Sequence, residues 1–233
     1  SALFNAAFQA LRGEDGSTFS MNKLGGKLFE GEEGFPKKPS LANWWFRQAA
    51  DRGNPAAMHN LALAHAQGTG AEKDEDKALN LYRQAAEQGY PVAQNKLGVM
   101  YDDGKMVPQD HEKAVRWYRK AADQGYPNAQ KNLGLAYYLG EGAPQNFSKA
   151  FKWTKQAAKQ GMAQAQHNLG VMYDKGQGAR PNPEKALKWY QLAADQGHPQ
   201  AQFNLGQMHA SGKATPKDME TAAELFQKAA DQG

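Results

Sequence analysis

Residues 90–125 read YPVAQNKLGVMYDDGKMVPQDHEKAVRWYRKAADQG, and the glycine that closes them recurs at 53, 89, 125, 161, 197 and 233, always 36 residues apart. A second phrase keeps the same step: Leu97-Gly98, Leu133-Gly134, Leu169-Gly170 and Leu205-Gly206, with Leu61-Ala62 before them. A fixed period of this length marks a repeat array, because one short unit cannot bury its own apolar face while stacked units can.

The unit reads as a helical hairpin. Pro91 suits a first helical turn, where its missing N–H costs nothing. Ala93, Leu97, Met100 and Tyr101 fall on one helical face, and Gly104 ends the helix. Asp110, and its equivalents Asp74, Asn146, Asn182 and Asp218, offer N-caps to a second helix. That helix carries Ala114, Trp117, Tyr118, Ala121 and Ala122 on its apolar side. The caps predict a first helix of about 11 residues and a second of about 14. The mid-helix glycines 98, 134, 170 and 206 each cost about 1 kcal/mol against alanine, so close helix approach is their expected reason. Trp117, Trp153 and Trp189 step by 36 and are expected to form a buried aromatic spine. His65 and His209, standing where other units have tyrosine, are expected to be semi-buried hydrogen-bonding substitutes.

The pattern A-x-A-Q-x-x-L-G-x-M-Y-x-x-G followed by K-A-x-x-W-Y-x-x-A-A-x-Q-G resembles the Sel-one-like repeat family, a subclass of tetratricopeptide-type α-solenoids. Residues 162–197 follow it almost letter for letter, from Ala165-Gln166 through Trp189-Tyr190 to Gln196-Gly197. The expected fold is all-α: a right-handed α-solenoid of stacked antiparallel hairpins. Its expected parts are a capping helix at 1–16, a degenerate first repeat at 17–53, and regular repeats at 54–89, 90–125, 126–161, 162–197 and 198–233. The last repeat ends in register with apolar side chains left over on its second helix, among them Leu225 and Phe226. Further chain, another molecule or end-to-end self-contact is therefore expected to cover that end. The resemblance implies an adaptor, scaffold or immunity-type binding protein of bacterial origin, with an exported or periplasmic setting favoured over a cytoplasmic one.

The sequence contains no cysteine, no metalloprotease or nucleophile-elbow motif, no complete phosphate loop and no histidine pair at i, i+4. No enzyme activity, cofactor or metal site is expected, and no run of apolar residues is long enough to span a membrane. The net charge is +4, and residues 126–161 alone carry five lysines against one acid. Lys149, Lys152, Lys155 and Lys159 read as a solvated helix face. Their alternative role is to hold an anionic ligand: polysaccharide, lipid headgroup or nucleic acid. Nucleic acid is not expected, because no aromatic stacking platform interleaves with them.

With each repeat numbered from the residue after its closing glycine, core residues take positions 4, 8, 11 and 12 of the first helix. Positions 3, 6, 10, 13 and 14 then cluster on the opposite side. The resemblance implies that first helices line the concave surface, so these positions are the expected partner-binding groove. In repeat 90–125 they bring Asn95, Val99, Asp102 and Asp103. In 126–161 they bring Lys131, Leu135, Tyr138 and Leu139, with Tyr138-Leu139 read as an exposed pair. His167, Val171 and Asp174 follow in 162–197, and Phe203 in 198–233. Apolar groups ringed by charge are how protein-binding surfaces are built. The expected partner is a protein or peptide, anchored on Leu135, Tyr138 and Leu139.

Overall fold

The computed structural model describes residues 17–32 and 34–232. The expected capping helix at 1–16 lies outside the described residues, as do Glu33 and Gly233. The chain divides into two compact units, 1–110 and 111–233. The first holds α1 (Thr18–Glu30), α2 (Pro39–Ala50), α3 (Pro55–Gln67), α4 (Glu75–Glu87) and α5 (Pro91–Asp103). The second holds α6 (His111–Asp123), α7 (Pro127–Leu139), α8 (Phe147–Lys159), α9 (Ala163–Lys175), α10 (Pro183–Ala194), α11 (Pro199–Ser211) and α12 (Met219–Ala230). Among the described residues there is no strand. Within each unit, helices adjacent in sequence pack on one another, the pattern of an α-solenoid.

Local chemistry sets the helix ends. Asp74, Asn146, Asn182 and Asp218 each accept a hydrogen bond from the backbone N–H three residues on. First helices run 13 residues, two longer than the caps alone suggest, because helical geometry persists up to a left-handed glycine such as Gly176 (φ 71°). Second helices stop at 12 or 13 residues, because their last turn is spent on a closing motif. In that motif the N–H of Gly197 bonds Ala194 and that of His198 bonds Ala193. Gly197 has φ 82° and no neighbour near its missing Cβ, so the backbone conformation alone demands glycine there.

The residues expected in the first-helix core are buried: Ala129, Leu133, Ala136 and Tyr137 in α7, and Ala165, Leu169, Met172 and Tyr173 in α9. The spine differs from expectation. Trp117, Trp153 and Trp189 are only half-buried. The following position, 29, carries the buried ring instead in three regular repeats: Tyr82 0%, Tyr118 2% and Tyr190 3% exposed, and likewise Phe46 at 2% in the degenerate repeat. Adjacent helical positions point ~100° apart, and Phe46, Tyr190 and Phe226 are aimed at the first helix of their own hairpins. The tryptophans turn outward far enough for lysines to lie over them, Lys120 at 4.2 Å from the Trp117 ring and Lys152 at 5.0 Å from Trp153.

At three mid-helix glycines a position-29 ring sits on the first helix. A Cβ on Gly170 would lie 2.7 Å from the Tyr190 ring, on Gly206 2.8 Å from Phe226, and on Gly25 2.5 Å from Phe46. Phe226 is therefore partly covered within its own hairpin. His65 is buried, with Nδ1 3.0 Å from the Glu72 carbonyl oxygen, and His209 is half-buried.

Between hairpins the apolar packing carries a buried polar element. The buried side chains of Gln130, Gln166 and Gln202 donate to the carbonyls of Ala122, Ala158 and Ala194 on the preceding helix. Each in turn accepts from the glutamine before the next closing glycine: Gln160 at 2.8 Å, Gln196 at 2.7 Å and Gln232 at 2.8 Å. A buried amide is costly unless bonded, so these pairs fix how one hairpin sits on the next.

Tyr190→Ala should cost about 3–5 kcal/mol, whereas Trp189→Ala should cost about 1–2 kcal/mol, as a half-buried side chain does. Urea melts followed by circular dichroism measure both; the reverse order would show that position 29 is not the spine.

Candidate functional site

In the second unit the expected groove residues fall on α7, α9 and α11. Leu135 is 45% exposed, Leu139 48% and Phe203 48%, a high exposure for aliphatic and aromatic groups. Tyr138 is less free than expected. It is half-buried, its hydroxyl donates to Gln177 Oε1 at 2.9 Å, and its ring lies edge-on to Phe147 at 5.4 Å. Lys131 and Val171 are half-buried on the same helices. Asp174 is paired with Lys213 at 2.5 Å. A recess of about 630 Å³ beside them is lined by Tyr190, Asn204, Gln207 and Phe226 among others.

His167 sits in a hydrogen-bonded chain. Its Nε2 is 3.1 Å from Asn204 Nδ2, and its Nδ1 is 3.3 Å from Asn168 Oδ1. Asn204 can only donate from that nitrogen, so Nε2 accepts and Nδ1 carries the proton. Gln164 also donates to Asn168 Oδ1, at 3.1 Å. His198 stacks on His167 with centroids 4.8 Å apart, and its Nε2 faces Gln164 Oε1 at 3.1 Å. Burial, with the neighbouring His198, holds the His167 pKa below its usual value; burial does the same for His198. Both rings are therefore neutral hydrogen-bonding groups. Burial raises the pKa of the Tyr190 hydroxyl well above the tyrosine range.

Sequence reasoning missed four residues of the site: Gly134, Thr154, Asn168 and Met172. Together with Leu135, Tyr138, His167 and Val171 they line a pocket of about 170 Å³ among α7, α8 and α9. Thr154 occupies position 29, where the other regular repeats carry Tyr82, Tyr118, Tyr190 and Phe226. The signal was present in the aligned repeats, one residue after the tryptophans.

Asn95, Val99, Asp102 and Asp103 lie on α5 in the first unit, where Asp103 pairs with Lys105 at 2.9 Å. In that unit His59 takes the position of His167. Its ring packs 5.3 Å from Tyr82, and its buried Nδ1 has no hydrogen-bond partner. The lysine row of α8 lies over aromatic rings: Lys149 over Tyr137, Lys152 over Trp153 and Lys155 over Phe151, at 5.2, 5.0 and 5.6 Å. Among the described residues no group of acids and histidines is arranged to hold a metal, and no helix is long and apolar enough to cross a membrane.

The fold and repeat geometry define an α-solenoid of the tetratricopeptide type. The Sel1 repeat profile matches residues 18–54, 55–90, 91–126, 127–162, 163–198 and 199–233, and the chain belongs to the Sel1 repeat family. A Sel1 repeat protein from Oxalobacter formigenes is 34% identical, with a TM-score of 0.86 over 100% of this chain and 98% of that one. A protective antigen with an SLR fold from uropathogenic Escherichia coli is 34% identical at TM-score 0.87; the match covers 98% of this chain but spans only 48% of the antigen's length. An immunity protein from Pseudomonas aeruginosa is 26% identical, with a TM-score of 0.53 over 92% of this chain and 83% of that one. No functionally curated protein matches the chain closely enough to count as a relative.

Burial, with Lys96 nearby, lowers the His59 pKa from 6.5 to about 4. The unfolded state then binds more protons between those values, so stability is full above pH 6.5 and falls as pH drops toward 4. His59→Phe, which places at this position the residue that Phe203 supplies in the last repeat, should flatten that part of the melting-temperature profile. An unchanged slope would show that His59 does not titrate this way.

Proposed function

We propose that this chain is a non-catalytic protein-interaction module that holds a partner protein or peptide on the first-helix face of α7, α9 and α11. One observation carries the reading: Leu135, Leu139 and Phe203 remain about half exposed at positions the repeat does not need for its own core. Polar groups border them, the arrangement of an interface with apolar anchors and a wet rim. Lys131, His167 and Asp174 would set the partner's orientation. Asn95, Val99, Asp102 and Asp103 would do the same for whatever contacts the first unit. The likeness to a Pseudomonas immunity protein supports a partner that is another protein, held and thereby neutralised. The lysines of α8, engaged with rings on their own unit, support no anion-binding role in this reading.

Leu135→Asp with Leu139→Asp tests it. Both side chains are exposed, so the melting temperature should barely move. Capture of the partner from lysate should fall by about tenfold or more, as loss of a hot spot does. Equal capture by the variant and the parent would remove the face from the reading.

A further inference from the structure

The pocket among α7, α8 and α9 has a structural origin that specifies what fits it. In its sister repeats position 29 places a ring against the first helix: Tyr190 on Gly170, Phe226 on Gly206, and Phe46 on Gly25 in the degenerate copy. At the corresponding Gly134 the nearest group is a hydroxyl, Thr154 Oγ1, 2.7 Å from where a Cβ would stand. The repeat keeps the glycine seat and lacks the ring. What remains is a pocket of about 170 Å³. An apolar protein cavity of about 150 Å³ is known to take benzene, so one aromatic ring is the right filling.

The lining also has direction. Leu135, exposed at 45%, and half-buried Val171 stand toward solvent, whereas Thr154 is buried at 5%. Thr154 supplies a hydroxyl at the base. Asn168 lines the wall. Apolar sides with a hydroxyl at the base and an amide in the wall suit a phenol better than a plain benzene ring, because a buried phenolic O–H needs a partner. We propose that this pocket receives a tyrosine side chain of the partner protein, which completes from outside the ring position that repeat 126–161 leaves empty. The proposal rests on the interaction reading above and names the partner's anchor.

The probe is p-cresol, the tyrosine side chain itself, with toluene as its comparison, titrated against the full chain by NMR. p-Cresol should bind with a dissociation constant of roughly 1–10 mM, the range for a ligand of so few atoms. It should shift the amide signals of Gly134, Thr154 and Asn168, and toluene should bind several-fold more weakly. Thr154→Tyr restores the repeat's own ring; it should raise the melting temperature and weaken p-cresol binding by about tenfold or more. If that variant fails to fold, Val171→Phe at the mouth should weaken binding in the same way. Three results would overturn the proposal: no shifts at those amides, toluene binding as tightly as p-cresol, or a chain that dimerises through this pocket and becomes monomeric in Thr154→Tyr. A partner captured through Leu135 and Leu139 by a chain that ignores p-cresol would end this inference and leave the interaction reading standing. p-Cresol in the pocket with capture unaffected by Leu135→Asp/Leu139→Asp would remove the interaction reading and the partner's tyrosine with it, and leave only a ring-binding pocket.

Discussion

A ring from the second helix rests on a glycine in the first in three of the hairpins, at Gly25, Gly170 and Gly206. In repeat 54–89 the buried Tyr82 has Ala62 at the glycine's position, and in 126–161 Thr154 stands in for the ring at Gly134. A Cβ at Gly170 would stand 2.7 Å from the Tyr190 ring, inside any allowed contact, and without the ring the glycine would be a mid-helix weakness with no return. Where ring and glycine are both present, the seat sets how closely the two helices approach. Stability then accumulates hairpin by hairpin and joint by joint, as expected where each element meets only its neighbours.

The joints are specified differently. Gln130, Gln166 and Gln202 are buried amides, each bonded to a backbone carbonyl on the helix before and to a second glutamine from the helix after. An apolar contact would tolerate sliding; a buried amide with fixed partners does not. Rings close the hairpins and amides register them, which leaves the outer positions of the first helices unconstrained by folding. Those positions are where Leu135, Leu139 and Phe203 stand exposed.

The helices, their caps and the first-helix core were legible because they follow from periodicity and from residue types with one local use: proline at a helix start, asparagine or aspartate at a cap, glycine at a left-handed end. Which of two adjacent aromatics faces inward was not. Trp189 and Tyr190 differ by one step of helical rotation, and the larger ring is the natural guess for a core. The small seat at Gly170 admits the ring of Tyr190, and the bulkier indole of Trp189 is left half-buried. That same one-residue error hid Thr154, because attention to 153 passed over the single departure at 154. The exposed Leu139 was readable from helix geometry. The partial burial of Tyr138 was not, because its hydroxyl bonds Gln177, which lies beyond the next closing glycine in the following repeat.

Anomalous diffraction from crystals soaked in 4-bromophenol tests the central claim most directly, that one repeat keeps a ring seat without its ring. The account predicts a bromine peak at the mouth of the pocket beside Leu135 and Val171, with the phenol oxygen toward Thr154 or Asn168. It predicts no such peak at Gly170 or Gly206, where Tyr190 and Phe226 already fill the seat. An empty pocket at Thr154, or equal occupancy at all three glycines, would contradict it.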